Sequence, residues 1–170
     1  ATTVTVYDIP SVSTISAVPA NGTCPGEPVT LYAGATPGTA TAGDGSTTNS
    51  TSGISPFTNF WEGSRSQYLV TASELQALGM VAGPITSLAF NITSTSDDYA
   101  QNGFSIKMGH TSAANLSAGF DAASLTTTYG PASINTFSTG VQSFTFTTPF
   151  IWDGSSNIVV DICHDNDISN

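Results

Sequence analysis

Hydrophobic and polar residues alternate with a period of two in several segments of the chain. The alternation is clearest at Leu88–Ile92, Phe104–Met108 and Phe144–Phe146. This period places one face of a β-strand in a core and the other in solvent. The run Ile158–Cys163 is more continuously apolar, which is typical of a central strand. With Gly, Pro, Asn and Asp between these segments, the pattern predicts an all-β fold, an antiparallel β-sandwich of the jelly-roll or immunoglobulin-like (Ig-like) kind.

One short helix is predicted to follow a strand at Gln67–Val70. The segment Thr71–Glu74 has the capping-box pattern, in which the threonine hydroxyl accepts from the amide three residues on and the glutamate reaches back. Leu75 and Leu78 then share a helical face. Gly79 suits the left-handed conformation that ends a helix. The spacing therefore predicts a helix of one or two turns.

A turn is predicted near the end of the chain. Asp153-Gly154 lies between Trp152 and Ile158, and this dipeptide favours the two-residue turn of a β-hairpin. We therefore expect the strand that ends near Trp152 to pair with the strand that begins near Ile158.

The first third of the chain predicts a domain boundary. Residues 1–9 contain a strand-like Thr-Val-Thr-Val run before Pro10, and we interpret them as the last strand of a preceding Ig-like domain. Residues 10–33 are predicted to hold a linker and the first strands of the next domain. Residues 34–56 are rich in Gly, Ser and Thr, which predicts a loop or linker. The β-sandwich module is predicted over 57–170, as a fragment of a multidomain chain.

The composition indicates where such a protein works. The chain has 2 Lys or Arg against 12 Asp or Glu, a net charge of −10, and only 8% charged residues, whereas about a quarter is usual. Solubility must therefore come from hydroxyls and amides, which suits an extracellular or cell-surface location. Nucleic-acid binding needs basic groups, and spanning a bilayer needs an apolar run of about 20 residues. We therefore expect neither nucleic acid as a partner nor membrane insertion.

Four aromatic residues are candidate ligand-binding residues: Trp61, Tyr68, Tyr99 and Trp152. An aromatic ring offers an apolar platform with a polar edge, on which a sugar can stack. The alternative is that these rings fill the core of the sandwich or its rim.

Three acidic residues near the end of the chain, Asp161, Asp165 and Asp167, are candidate ligands for Ca²⁺. Calcium takes six to eight oxygen ligands, and the Asp-x-Asp spacing at 165 and 167 is compatible with one loop around an ion. The segment lacks the glycine and the bidentate glutamate of an EF-hand loop. The alternative is that all three are solvated turn residues. Calcium is the only cofactor that the sequence suggests.

Cys24 and Cys163 are the only cysteines and are candidates for one disulfide in an oxidising compartment. Two free thiols, or pairing with cysteines outside this sequence, are the alternatives. Sequence alone does not fix the geometry that a disulfide requires.

No catalytic motif stands out. His110 and His164 follow or end predicted strands, and no serine is marked as a nucleophile beside them. Glycoside hydrolysis needs two carboxylates across a cleft. Glu62 and Glu74 are the only glutamates in the predicted module, and helix capping already explains Glu74. The sequence therefore predicts a protein that is not an enzyme.

Three ordered blocks of sequence lie within residues 57–164. They read ASEL, GM and ITSLAFN within 72–91, FSIKMG and TS within 104–112, and FTTPF, WDG and NIVV within 146–160. Together they resemble a recurrent β-sandwich module of very large secreted and surface proteins of Bacteroidota. Such proteins are typically exported by the type IX system and include giant adhesins of gliding bacteria, which link the module to cell adhesion and gliding motility.

The opening stretch resembles the junction between tandem Ig-like repeats of the same proteins, through Cys24, Gly26 and Val29-Thr30-Leu31. The resemblance implies a repeat protein, of which this chain is one segment, and it carries no catalytic residues. We expect a structural or adhesive role, with neighbouring domains of the same chain and a surface polysaccharide or another cell-surface protein as partners. The alternative is a carbohydrate-binding accessory module of a secreted hydrolase.

Overall fold

The alternating segments form antiparallel β-strands in the folded chain. The structure, a computed structural model, describes residues 4–7, 11–18, 30–36, 38–43, 55–58, 62–95 and 100–166, with side chains described from residue 38 onward. In chain order the elements are β1 (Val4–Tyr7), β2 (Ser11–Val18), β3 (Thr30–Thr36), β4 (Thr39–Ala42), β5 (Gly63–Val70), α1 (Ala72–Ala77), β6 (Gly83–Ile92), β7 (Gln101–Thr111), β8 (Thr126–Ile134), β9 (Gly140–Trp152) and β10 (Asn157–Asp165).

The described strands form two four-stranded sheets and a separate β2–β3 hairpin. The first sheet has the order β4-β1-β6-β9, and the second has the order β5-β10-β7-β8. Every pair is antiparallel. One hydrophobic core contains buried side chains of both four-stranded sheets. The predicted all-β sandwich with one short helix is confirmed.

Aromatic rings fill the middle of the core. Phe104 of β7 and Phe144 of β9 stack across the two sheets, with ring centroids 5.2 Å apart. Phe57, from the turn before β5, lies against both rings. Burying each such side chain contributes about 1.5–3 kcal/mol. The period-two pattern is visible in β9, where Phe144 and Phe146 are buried and Thr145 is exposed.

The predicted capping box is present at the start of α1. The Thr71 hydroxyl accepts from the Glu74 amide at 3.2 Å, and the Glu74 carboxylate accepts from the Thr71 amide at 2.8 Å. The Thr71 hydroxyl also donates to that carboxylate, and these hydrogen bonds lower the pKa of Glu74. Leu75 is fully buried and anchors the helix. Gly79 follows with φ +81°, the left-handed conformation expected of it.

The structure corrects two of the predicted domain boundaries. β1 pairs with β6, with Val4 opposite Phe90, so it belongs to the sandwich and does not end a preceding domain. The predicted loop 34–56 contains β4, which pairs with β1 and buries Ala40 and Ala42. Alanine gives little hydrophobic signal among threonines, and for this reason the strand was not predicted.

The turn at Asp153-Gly154 is a connection between sheets and not the predicted hairpin. β9 ends at Trp152 in the first sheet, and β10 begins at Asn157 in the second. A turn dipeptide reports the local backbone conformation, which is compatible with either connection.

Candidate functional site

A buried carboxylate lies on the outer face of the second sheet. Asp161 of β10 is 1% exposed, although its side chain points away from the core between the sheets. Its Oδ2 accepts from Arg65 Nε at 2.8 Å and from Gln67 Nε2 at 2.7 Å, and Arg65 Nη2 lies 2.7 Å away. The hydrogen bond to Asp161 is the main reason that the pKa of Arg65 is raised. Three donors from β5 therefore hold one carboxylate oxygen.

A segment between β7 and β8, residues 112–125, covers this face, and we call it the covering loop. Asp121 fixes its position on β5, since its amide donates to Gln67 Oε1 at 2.7 Å and its carbonyl accepts from Gln67 Nε2 at 3.3 Å. The Asp121 carboxylate also accepts from the Thr111 hydroxyl at 2.9 Å and from the Ala123 amide at 2.7 Å. The side chain of Gln67 therefore connects the covering loop to Asp161.

The covering loop needs a glycine beneath it. A Cβ on Gly109 of β7 would lie 2.4 Å from the Ser124 carbonyl oxygen. The backbone of the covering loop therefore packs directly on the strand, at a distance that no other residue allows without a shift of the chain.

An aromatic ring at the tip of the covering loop remains in solvent. Phe120 is 58% exposed, and the guanidinium carbon of Arg65 lies 4.7 Å from its ring centroid. Such a cation–π contact is worth about 0.5–1 kcal/mol at an exposed site. Phe120 is the only exposed Phe, Tyr or Trp among the described side chains.

Beside this contact lies a cavity of 360 Å³ between β5 and the covering loop, which we call the β5 cleft. Tyr68 forms part of its wall, while its ring packs on Phe90 in the core at 6.0 Å. Burial raises the pKa of Tyr68 to about 12. The β5 cleft is lined by Arg65, Ser66, Gln67 and Tyr68 of β5 and by Leu116, Gly119 and Phe120 of the covering loop.

The predicted aromatic candidates have different positions. Tyr68 forms part of the wall of the β5 cleft, but its ring packs on Phe90 against the core, so its role in ligand binding stays a prediction. Trp152 is 1% exposed in the core, and its Nε1–H donates to the Ser156 carbonyl at 2.8 Å, so its ring is not a sugar platform and the prediction for it is corrected. Trp61 and Tyr99 lie outside the described residues.

Sequence reasoning missed Phe120 and Arg65. The signal for Phe120 was present, because a single large aromatic residue lies in a stretch of small and polar residues without any alternating pattern. No comparable signal indicated that Arg65 and Asp161 would meet across 96 positions of sequence.

Asp161 and Asp165, the two predicted calcium ligands that the structure describes, lie apart on β10. Asp161 is paired with Arg65 on the face beneath the covering loop, and Asp165 is exposed four residues further, about 13 Å along β10. Asp167 lies outside the described residues. Within the described chain, no three His, Cys, Asp or Glu side chains are grouped in a way that would hold a metal ion. The grouping of Asp161 with Asp165 is therefore corrected.

Cys163 is a free thiol, partly buried on β10. Cys24 lies outside the described residues. The structure therefore contains no bridge at Cys163, and the disulfide between the two cysteines stays a prediction about the oxidised protein.

Within the described residues, neither histidine is hydrogen-bonded to a serine or threonine hydroxyl. His164 is buried, with Nε2 2.6 Å from the Thr58 carbonyl oxygen. His110 Nε2 accepts from the Asp153 amide at 3.3 Å. The Asp153 carboxylate accepts from the hydroxyl and amide of Ser156, which lowers the pKa of Asp153. The carboxylate, and not the imidazole, faces that hydroxyl, whereas a serine nucleophile needs the base beside it.

Comparison with protein-family models, with curated proteins and with solved structures finds no match for the chain. The resemblance to the Bacteroidota module therefore stays a prediction. Within the described part of the chain, no helix has the length and apolar character needed to cross a membrane.

Replacing Tyr68 with phenylalanine should make the protein less sensitive to alkali. The folded-state pKa of about 12 exceeds the value of about 10 for an unfolded chain. The folded chain therefore holds the phenol proton more tightly, and this stability, complete below pH ~10, is lost as pH rises through ~12. Urea unfolding below and above this window should show a larger loss for the wild type than for Tyr68→Phe. An equal loss would mean that Tyr68 is not buried as described.

Proposed function

We propose that this chain is a structural and adhesive segment of a large extracellular protein, either a cell-surface or a filament-forming one. Its β-sandwich would carry load, because antiparallel strands joined by hydrogen-bonded ladders resist extension. Neighbouring domains of the same chain would be its first partners. The resemblance to surface modules of Bacteroidota agrees with this role and extends it to export by the type IX system and to cell adhesion during gliding.

The observation that carries the proposal is the outward face of the sandwich. On β9 the exposed positions include the hydroxyl side chains Ser143, Thr145 and Thr147, together with Val141 and Ile151, and none of the exposed positions is charged. An intracellular domain would usually have lysine and glutamate at such positions. A hydroxyl surface on a chain of net charge −10 stays soluble and repels copies of itself.

The two basic residues add to this argument. Arg65 is paired with Asp161, and Lys107 of β7 lies opposite Asp161 in the strand register. Arg65 is therefore ion-paired with this buried carboxylate, and Lys107 lies on the neighbouring strand at the same level. Elsewhere the formal side-chain charges are negative, which disfavours a polyanion as a partner.

Antibodies raised against the chain test the proposed location. They should label intact, unpermeabilised cells of the organism that produces the protein, and brief treatment of those cells with a broad-specificity protease should remove the label. Deleting the segment in the gene should reduce attachment of the cells to a surface while the rest of the protein is still exported. Labelling only after lysis would contradict the proposal.

One observation favours a second candidate function, a carbohydrate-binding accessory module of a secreted hydrolase. Phe120 is exposed beside the β5 cleft, and an exposed aromatic ring at a cavity is typical of sugar recognition. A catalytic domain next to this segment in the full-length protein would support this second function over the first.

A further inference from the structure

We propose that the β5 cleft is a binding site for a neutral carbohydrate, in which a sugar ring stacks on Phe120 and its hydroxyls bond to the polar groups of β5. This site would supply the adhesive contact of the proposed function. The proposal of the site rests on that function in one respect only, namely that the protein is extracellular. The same site would serve a hydrolase accessory module.

The first support is that hydrogen bonds hold the backbone on both sides of the exposed Phe120. The residue after it, Asp121, is fixed to β5 and to Thr111 by hydrogen bonds. The residue before it, Gly119, has φ +113° and donates its amide to the Leu116 carbonyl at 3.1 Å. A positive φ of this kind favours glycine. The ring is therefore presented to solvent by a fixed turn, and a ligand would lose little free energy in ordering it.

The second support is the mixture of groups around the cavity. Phe120 and Leu116 offer apolar surface, which matches the C–H face of a sugar ring. Arg65 and Ser66 of β5 line the same cavity and offer hydrogen-bonding groups, and the Arg65 guanidinium lies against the Phe120 ring. The guanidinium has a fixed orientation, because Asp161 holds it through Nε and Nη2 while its side chain is 47% exposed. A cavity with an apolar side and a few oriented polar groups is typical of small-molecule sites.

The charge of the site indicates a neutral ligand. The positive charge of Arg65 is matched by Asp161 at 2.7 Å, so it is not left for an anionic sugar. The chain as a whole has a net charge of −10, which repels an acidic polysaccharide at long range. The volume of 360 Å³ lies near the lower end of the range of about 300–1,000 Å³ for ligand sites and suits a short sugar segment.

Titration of the full chain with defined oligosaccharides tests the proposal. The neutral probes are soluble β-glucan, xylan and mannan oligosaccharides, and the acidic probe is oligogalacturonate. Binding is measured by calorimetry and by changes in amide chemical shifts. At least one neutral probe should bind saturably and shift the amides of residues 65–68 and 116–120. Phe120→Ala should weaken that binding about tenfold or more, because it removes both the stacked ring and its buried area.

Val141→Ala is the matched control, since Val141 is 63% exposed on β9 of the other sheet, and it should leave the affinity unchanged. The amide chemical-shift changes of the unaltered chain locate the bound probe, so the test does not depend on the folding of Phe120→Ala. Binding of no neutral probe, binding of the acidic probe alone, or full affinity in a folded Phe120→Ala variant would overturn the proposal. None of these results would affect labelling of intact cells, so the carbohydrate site and the extracellular role can fail separately.

Discussion

Replacing Phe144 with alanine should lower the free energy of unfolding by about 3–5 kcal/mol. Phe144 is 2% exposed, and its ring contacts Phe104 at 5.2 Å and Tyr129 at 5.2 Å between centroids. Removing the ring loses the favourable free energy of burying it away from water. It also leaves a cavity between two sheets, whose backbones are fixed by hydrogen bonds between strands and cannot close it. Domains are typically stable by about 5–15 kcal/mol, so the loss would be readily measured by urea unfolding.

Val141→Ala, on the same strand, is the control for this measurement. Val141 is 63% exposed, and its truncation should change the free energy of unfolding by less than about 0.5 kcal/mol. The contrast tests which residues of β9 face the core. Similar costs for the two variants would show that the assignment of its faces is wrong.

The sandwich was predictable wherever large apolar residues alternate with polar ones. Phe104 and Phe144 lie on strands that the period of two identifies, and both are buried as that period requires. The helix was predictable for a similar reason, since the Thr71 and Glu74 hydrogen bonds are local and depend on a spacing of three residues. Signals that act within a few residues of sequence are read correctly from the sequence alone.

Strand partners were not predictable, because pairing is decided by distant parts of the chain. β1 was assigned to another domain, and only its register with β6 shows that it completes a sheet. β4 could not be predicted because its buried residues, Ala40 and Ala42, are small and give little hydrophobic signal. The turn after Trp152 fixes a local reversal of the backbone but does not determine which sheet receives the next strand.

For the candidate site, the sequence predicted only the type of residue involved and not which residues would form the site. The sequence suggested aromatic residues facing a sugar, and of these Tyr68 forms part of a cavity wall while its ring packs against the core. It gave no means of telling Trp152, which the core surrounds, from Phe120, which the covering loop leaves exposed. Residue type alone does not predict exposure, since the wholly apolar ring of Phe120 is exposed and the ring of Trp152, which carries an N–H, is buried. Exposure follows from packing against elements that are remote in sequence.

The second large loss of stability is expected when the Arg65–Asp161 ion pair beneath the covering loop is broken. Arg65→Met should lower the free energy of unfolding by about 2–3 kcal/mol. Breaking a fully buried ion pair costs about 3–5 kcal/mol, because the remaining charge is left without its partner. The cost here should be smaller, since the Arg65 side chain is 47% exposed and Gln67 Nε2 still donates to Asp161 at 2.7 Å. Methionine keeps an unbranched apolar side chain at this position but also removes the guanidinium contact with the Phe120 ring.

A double-mutant cycle with Asp161→Asn separates the charge effect from the loss of packing. In the double variant the buried carboxylate becomes a neutral amide, so no unpaired charge remains beneath the covering loop. The free energy of unfolding of the double variant should therefore fall by less than the sum of the losses in the two single variants. The difference should exceed about 0.3–0.5 kcal/mol, which is the usual deviation from additivity for independent sites. Strict additivity in urea unfolding would mean that the Arg65–Asp161 pair does not form in solution.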